Sequence, residues 1–295
     1  MPDGFLLVDK EGGCTSHDVV AAVRRAAGRG VKVGHGGTLD PMATGLLVLG
    51  LGRATRLLRY IQEGAKTYVA TACFGVATDT LDADGAVLDR EPMEVTQEEV
   101  EGVAARFVGE IMQVPPMVSA LKVGGRRLYE LARAGEVVDR EARPVTVHEI
   151  RVLDFAPGDY PEVSLLVRCG GGTYVRTLAD DIARALGGRA HLTALRRTRI
   201  GVLDVADAVP LASLGEAAAS GSLPVRVIPP AAGLGHLPAA AVPSGAEAGV
   251  RNGAAFPARL LGAGEGPIRI LDGAGVLLAV YRVEAGTARA EVVLS

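Results

Sequence analysis

Tryptophan is absent from the 295 residues, tyrosine and phenylalanine number six and five, lysine occurs four times and cysteine three times. Cys14, Cys73 and Cys169 are far apart and form no Cys-x-x-Cys, which excludes a disulfide framework or a zinc knuckle and leaves core packing. The histidines, at 17, 35, 148, 191 and 236, do not stand beside a cysteine or a second histidine at ligand spacing, so no metal is expected. No apolar run is long enough for a membrane span, and Met1-Pro2-Asp3-Gly4 has no basic n-region, so no membrane association and a cytoplasmic location are expected. There is no Gly-Lys-Ser or Gly-Lys-Thr, and a dinucleotide fingerprint starting at Gly34 fails because Leu39 stands where glycine is required. The acidic run Asp79 to Asp84 fails as a calcium loop, with Leu81 or Ala86 at ligand positions, and reads as an Asp-rich turn. No cofactor is expected.

What remains is an ordinary globular composition, 48% hydrophobic and 22% charged, able to bury a sizeable core. Net charge is −3, but its distribution is uneven: five arginines and no acid lie between Arg184 and Arg199, against nine acids and one arginine from Asp79 to Glu101. One face basic and another acidic would suit an RNA ligand, as would a plain solvated face.

Phe5 to Lys10 reads as a buried strand, followed by a helix that Ser16 can cap and whose apolar face is Val19, Val20, Val23 and Ala27. Gly52 to Gln62 reads as a helix whose Arg53, Arg56 and Arg59 serve as solubilisers rather than phosphate contacts. Thr96-Gln97-Glu98-Glu99 is a capping box for a helix to Phe107, and Arg143–Phe155 and Glu162–Cys169 alternate as neighbouring strands. Past Leu211 the composition turns to alanine, glycine and proline. A connector over Leu223–Leu237 leads into short strand-like runs from about Ala239, a small β domain.

The densest signal is Gly34-His35-Gly36-Gly37-Thr38-Leu39-Asp40-Pro41-Met42-Ala43-Thr44-Gly45, four glycines around one carboxylate. Such a loop bends tightly and lets a ligand approach, and an aspartate before proline is held in extended or turn geometry. An Asp-Pro alone is most often a surface turn. Likewise Tyr68, taken alone, reads as core, and Arg176 as the partner of Asp180 one helical turn on.

Together these stretches resemble the bacterial TruB family, the tRNA pseudouridine-55 synthases. The resemblance rests on the loop at 34–45, on Lys66-Thr67-Tyr68, on Gln113-Val114-Pro115-Pro116 through Ser119-Ala120-Leu121-Lys122 to Leu128-Tyr129, on Gly172-Thr173-Tyr174-Val175-Arg176, and on His191 to Gly201. Glu11 stands where the family has the proline of its Lys-Pro motif, and Gly36 where it usually has threonine. The resemblance implies an α+β pseudouridine synthase fold: a central mixed, largely antiparallel sheet flanked by helices, plus a small β PUA-like C-terminal domain, divided as 1–230 and 231–295. It implies Asp40 as the catalytic aspartate, Arg176 as its partner, Tyr68 as the ring that stacks on the target uracil, and Tyr174 and Leu195 as pocket walls. His35 would aid base flipping or stiffen the loop; Lys10, followed by Gly12-Gly13 before a helix start, reads by itself as a cradle for an anion of the substrate or as a solvated cation at a strand end. The implied partner is tRNA through its T arm, with no obligate protein partner evident. The segment stiffened by Pro115-Pro116, with Lys122, Arg126 and Arg127 just beyond it, would follow the RNA backbone or be a stiff surface loop.

Chemistry adds its own expectations. An ionised carboxylate can act as nucleophile or base if a cation keeps it charged away from water, and Arg176 can bond a carboxylate in two places, with Asp82 bracing it from the other side. Two rival classes stay open: an N-glycosidase using Asp180 or Asp181 as a second carboxylate, and an RNA-binding module without chemistry.

Overall fold

The computed structural model describes residues 3–28, 30–119, 121–128, 131, 136, 138–214, 227–242, 245–262 and 264–294. Side chains alternate across a strand, so along β1 (Gly4–Lys10) Phe5 and Leu7 face one way and Leu6 and Val8 the other, and all four are buried. A strand apolar on both faces belongs in the middle of a layered fold. The next strands in chain order are β2 (Val33–His35), β3 (Thr44–Leu51), β4 (Lys66–Phe74), β5 (Val76–Thr78), β6 (Val87–Arg90) and β7 (Gly109–Gln113). They are followed by β8 (Lys122–Val123), β9 (Arg126–Arg127), β10 (Arg143–Ala156), β11 (Glu162–Cys169), β12 (Ala190–Ile200), β13 (Leu203–Asp204) and β14 (Val209–Pro210). The main sheet runs β14-β1-β3-β12-β4-β11-β10-β7, with β2 on β3 and β13 on β12. It is antiparallel except where β14 meets β1 and β12 meets β3. The fold is α+β with a mixed, largely antiparallel sheet. The strands expected at Arg143–Phe155 and Glu162–Cys169 are neighbours in it.

Four helices matter for the site: α1 (Ser16–Ala27), α2 (Leu58–Glu63), α3 (Gln97–Ala104) and α4 (Val175–Ala185). Val19 and Val23 of α1, Val100 of α3, and Leu178 and Ile182 of α4 share one core with Leu6, Val8, Leu47, Leu49, Tyr68 and Phe74 of the sheet. On the opposite face Phe5, Leu7, Leu46 and Val48 pack with Leu57, Tyr60 and Ile61 and with Leu277, Val280 and Val292 of a second sheet. That sheet has the order β15-β17-β18-β19-β16, from β15 (Ala239–Ala241), β16 (Phe256–Pro257), β17 (Gly266–Leu271), β18 (Leu277–Glu284) and β19 (Thr287–Val293).

Some local expectations are corrected. The cap of α1 is Thr15, whose hydroxyl accepts from Asp18 N while Asp18 closes the capping box, and Ser16 is released for a contact described below. The expected helix at 52–62 is a 3₁₀ segment, Gly52–Leu57, followed by α2. Its arginines fasten the two sheets together: Arg53 and Arg56 donate to the carbonyls of Leu294 and Val293, and Arg59 pairs with Glu291, which also accepts from Tyr60 and Arg282. The basic run at 184–199 is not a free face. Arg184 and Arg189 pair with Asp180, Arg196 with Asp9 and Arg199 with Asp204, while Arg197 is buried. Arg126 pairs with Glu136; the side chains of Lys122 and Arg127, Tyr129, and residues 223–226 of the connector lie outside the described residues. Among the described residues no helix is long and apolar enough to cross a membrane.

Candidate active site

Between β2 and β3 the chain runs from Gly36 to Ala43 without regular structure, so its backbone groups must find partners outside a helix or sheet. Backbone partners serve Gly36 N, Ala43 N and Pro41 O, and three side chains supply others. Ser16 Oγ, at the start of α1, accepts from Leu39 N at 2.9 Å and donates to Leu39 O at 3.2 Å. Lys10 Nζ, at the end of β1, donates to the carbonyls of Ala43 (2.8 Å), Pro41 (3.1 Å) and Glu11 (2.8 Å). Arg197, from β12, donates to Leu46 O (2.8 Å), Gly37 O (3.1 Å) and Thr38 O (3.3 Å). At the loop's end Gly45 has φ +98°, and a Cβ there would lie 2.3 Å from Arg197 O, so only glycine lets β3 and β12 approach. A Cβ at position 36 would lie 2.7 Å from Ile61 Cγ2, so Ile61 occupies the space that a threonine side chain would need.

The loop so held presents Asp40 to Arg176. Arg176 follows the Gly170-Gly171-Gly172 turn as the second residue of α4. Its Nε lies 3.0 Å from Asp40 Oδ2 and its Nη1 3.2 Å from Asp82 Oδ2, and it donates to Thr80 O (2.6 Å) and Val118 O (2.8 Å). The guanidinium is 2% exposed and Asp40 31%, so the cation is sealed while its carboxylate reaches the cavity. Burial pushes the Asp40 carboxyl above the usual carboxylate range; Asp82 pushes the same way, and Arg176 and Lys10 pull it back. Asp180, the partner that sequence alone gives Arg176, is taken by Arg184 and Arg189.

Register brings in the rest. Along β4, Lys66, Tyr68 and Ala70 are buried on one face, and β12 pairs Leu195 with Ala70 and Arg197 with Tyr68. Burial raises the Tyr68 phenol, only partly offset by Arg197, so the ring is neutral at neutral pH. Tyr174, the residue before α4, is gripped by the Gln113 side chain, whose Oε1 accepts from Tyr174 N (2.8 Å) and whose Nε2 donates to Tyr174 O (3.1 Å). Asp40, Tyr68, Tyr174, Arg176, Leu195 and His35 all line one cavity of about 330 Å³, with His35 carried at the end of β2 and its ring edge-on to His17. Asp180 and Asp181, the carboxylates of the hydrolase reading, are not among its lining residues.

Lys10 is corrected. It is fully buried and its three donors are used on carbonyls, so it holds the Asp40 loop and has no face for a substrate anion. The Glu11 departure leaves that function intact, because the acceptor is a backbone carbonyl that proline also possesses. Sequence reasoning missed Arg197, Gln113 and Lys66; all lie inside motifs it quoted, but their partners are set by strand register.

Residues 24–175 match the model of the TruB family pseudouridylate synthase N-terminal domain, and residues 176–231 that of the tRNA pseudouridylate synthase B C-terminal domain. The chain belongs to the TruB family. The boundary between the two matches falls within the site, separating Asp40 from Arg176. The tRNA pseudouridine synthase B of Thermobifida fusca (strain YX) is 52% identical over 225 residues, 74% of this chain and 75% of the relative. That of Leifsonia xyli subsp. xyli (strain CTCB07) is 54% identical over 222 residues, 73% of each chain. Among solved structures, that of a Cbf5-Nop10-Gar1 complex superposes with a TM-score of 0.74 at 26% identity, covering 99% of this chain and 85% of that one. An H/ACA RNP bound to a substrate RNA containing 2′-deoxyuridine gives 0.73 at 25% identity, with the same coverages of 99% and 85%. The TruB membership and these superpositions agree with the α+β architecture and the C-terminal β module described above.

Proposed function

We propose that this chain isomerises uridine to pseudouridine in tRNA, at position 55 of the T loop, with Asp40 as the reacting group. The observation that carries the reading is the Asp40–Arg176 pair at 3.0 Å, opening on a cavity that Tyr68, Tyr174 and Leu195 also line, in a chain of the TruB family. The reaction breaks the C1′–N1 bond, turns the uracil and joins its C5 to C1′, leaving the composition unchanged. It therefore needs a carboxylate for the sugar, walls that retain the free base, and no redox partner.

In this reading Asp40 either attacks C1′ or removes the C2′ proton, and the raised affinity for a proton that burial gives it serves both routes. Tyr68 stacks on the base, Leu195 and Tyr174 confine it, and Arg176 keeps Asp40 charged when water leaves. The uridine must first swing out of the RNA stack at about a few kcal/mol, least in a loop, and His35 at the cavity wall fills the vacated space or meets the backbone. The superposition on a particle holding a substrate RNA supports RNA as the ligand class. Residues 1–230 then form the catalytic domain and 231–295 a PUA-like module that extends RNA contact, and a cytoplasmic location goes with the substrate.

A tRNA transcript tritiated at uracil C5 tests this. Wild type releases tritium stoichiometrically, and Asp40→Asn releases none while still binding. Equal release by both refutes the role of Asp40, and free uracil would move the chain to the hydrolases.

A further inference from the structure

The cavity contains more buried positive charge than its carboxylates neutralise. Asp40 and Asp82 are both spent on Arg176. Lys66 is 7% exposed and Arg197 1%, both line the cavity, and among the described residues neither has a carboxylate partner. Arg197 is satisfied by three backbone carbonyls. Lys66 Nζ donates to Gln62 O (2.6 Å) and Gly64 O (2.9 Å), which leaves one of its three N–H groups without an acceptor among the described residues. The two cations lie together: a Cβ on Gly37, at φ +125°, would stand 3.7 Å from Arg197 Nη1 and 4.0 Å from Lys66 Cε. Burying like charges side by side is costly, and a site that does so is suited to an anion that arrives.

We propose that Lys66, backed by Arg197, donates its remaining N–H to the uracil as it detaches, placing a cation against the negative charge the base acquires. This rests on the pseudouridine reading above. When C1′–N1 breaks, the bonding pair goes to the uracil, which is an anion until its C5 bonds to C1′; C5 then gives up its proton and N1 is protonated. A backbone phosphate is also an anion, but Lys66 is buried and shares a strand face with Tyr68, two residues away, so it meets the base.

Around Lys66 stand Arg197 from β12, Cys169 paired with it from β11, His236 from the connector, and Tyr68 and Asp40 on the cavity wall. Burial and Arg197 press its ammonium down to about 8. A Lys66 that must be charged therefore makes the rate fall above that pH.

The test uses the full-length chain and tRNA carrying uridine or 5-fluorouridine at the target. Single-turnover loss of the N-linked nucleoside and Kd are measured from neutral pH into the alkaline range for wild type, Lys66→Met and Lys66→Arg. Lys66→Met lowers the rate about 30-fold or more with Kd little changed, loses the alkaline fall, and suffers less with 5-fluorouracil, the more stable leaving anion. Lys66→Arg recovers part of the rate. A defect in Kd and its salt dependence assigns Lys66 to phosphate and overturns the proposal; so does a defect indifferent to base and pH, which marks mere packing. Should Lys66→Met not fold, a wild-type rate flat through the alkaline range overturns it. Wild type that makes no pseudouridine brings down the functional reading itself.

Discussion

Replacing Lys10 with methionine keeps the length of the side chain and removes the ammonium. Of its three acceptors, Glu11 O is near the surface and recovers a water, Pro41 O keeps the N–H of Gly13 (2.9 Å), and the buried Ala43 O is left short of a donor. A buried acceptor that loses a charged donor costs about 1–3 kcal/mol, and the relief of no longer burying an ammonium returns part of it, so the net loss of stability is about 1–2 kcal/mol. Asp40 sits in the segment those carbonyls anchor, and with Asp40 in the proposed role of reacting group a displacement of about 1 Å costs roughly 100-fold in rate. Lys10 also pulls the Asp40 carboxyl down, so its loss raises that group further and moves the acid limb of kcat/KM to higher pH. The assay is chemical denaturation beside tRNA affinity at several salt concentrations and single-turnover kinetics. Affinity and its salt slope are expected to stay at wild-type values while kcat collapses. A Kd raised about tenfold, a salt slope reduced by about one and an intact kcat would mean that Lys10 reaches a phosphate, and would refute the loop-anchor reasoning.

Two further outcomes follow from the charges. Asp82→Asn keeps the Oδ1 acceptor used by Thr80 and Asp84 N but removes the charge that pushes Asp40 up, so the acid limb of the pH–rate profile moves to lower pH; an unmoved limb would refute the coupling. Asp181 is pushed to about 6 by burial and by Asp180. A raised carboxyl begins to cost stability as pH rises past its unfolded value and costs it in full above its folded one; discounted for the solvent that reaches this half-buried group, Asp181→Asn raises stability by about 1–2 kcal/mol at pH 8 and by little near pH 4 in paired melts.

The residues legible in the sequence were those whose chemistry is local. Asp40 announces itself through the glycines and proline around it, and the strand alternation about Tyr68 and Leu195 gives their shared face once the two strands are known to pair. What the sequence hid is set by register between distant strands. Nothing near Arg197 distinguishes it from Arg196 or Arg199, yet one position of pairing sends it under the Asp40 loop and sends its neighbours to Asp9 and Asp204. The same holds for Arg53, Arg56 and Arg59, whose acceptors include carbonyls and a carboxylate at the far end of the chain. Gln113 was read as part of an extended segment, but its amide is one of the few groups that can satisfy an N–H and a C=O at once, and it does so at Tyr174.

The site separates two uses of positive charge. Lys10 and Arg197 are spent on backbone carbonyls, which lets a loop too rich in glycine to stiffen itself hold one conformation. Arg176, itself steadied by the carbonyls of Thr80 and Val118, is the cation turned on side-chain carboxylates, and because it is shared between two of them it offsets Asp40 only in part. A lone aspartate gripped by a lone arginine would be a weak base and a weak nucleophile, its electrons committed to the ion pair. With Asp82 drawing on the same guanidinium and burial opposing the charge, Asp40 is kept oriented yet retains a higher proton affinity than a free carboxylate. Orientation and reactivity, which a single ion pair would set against each other, are thus supplied by different groups.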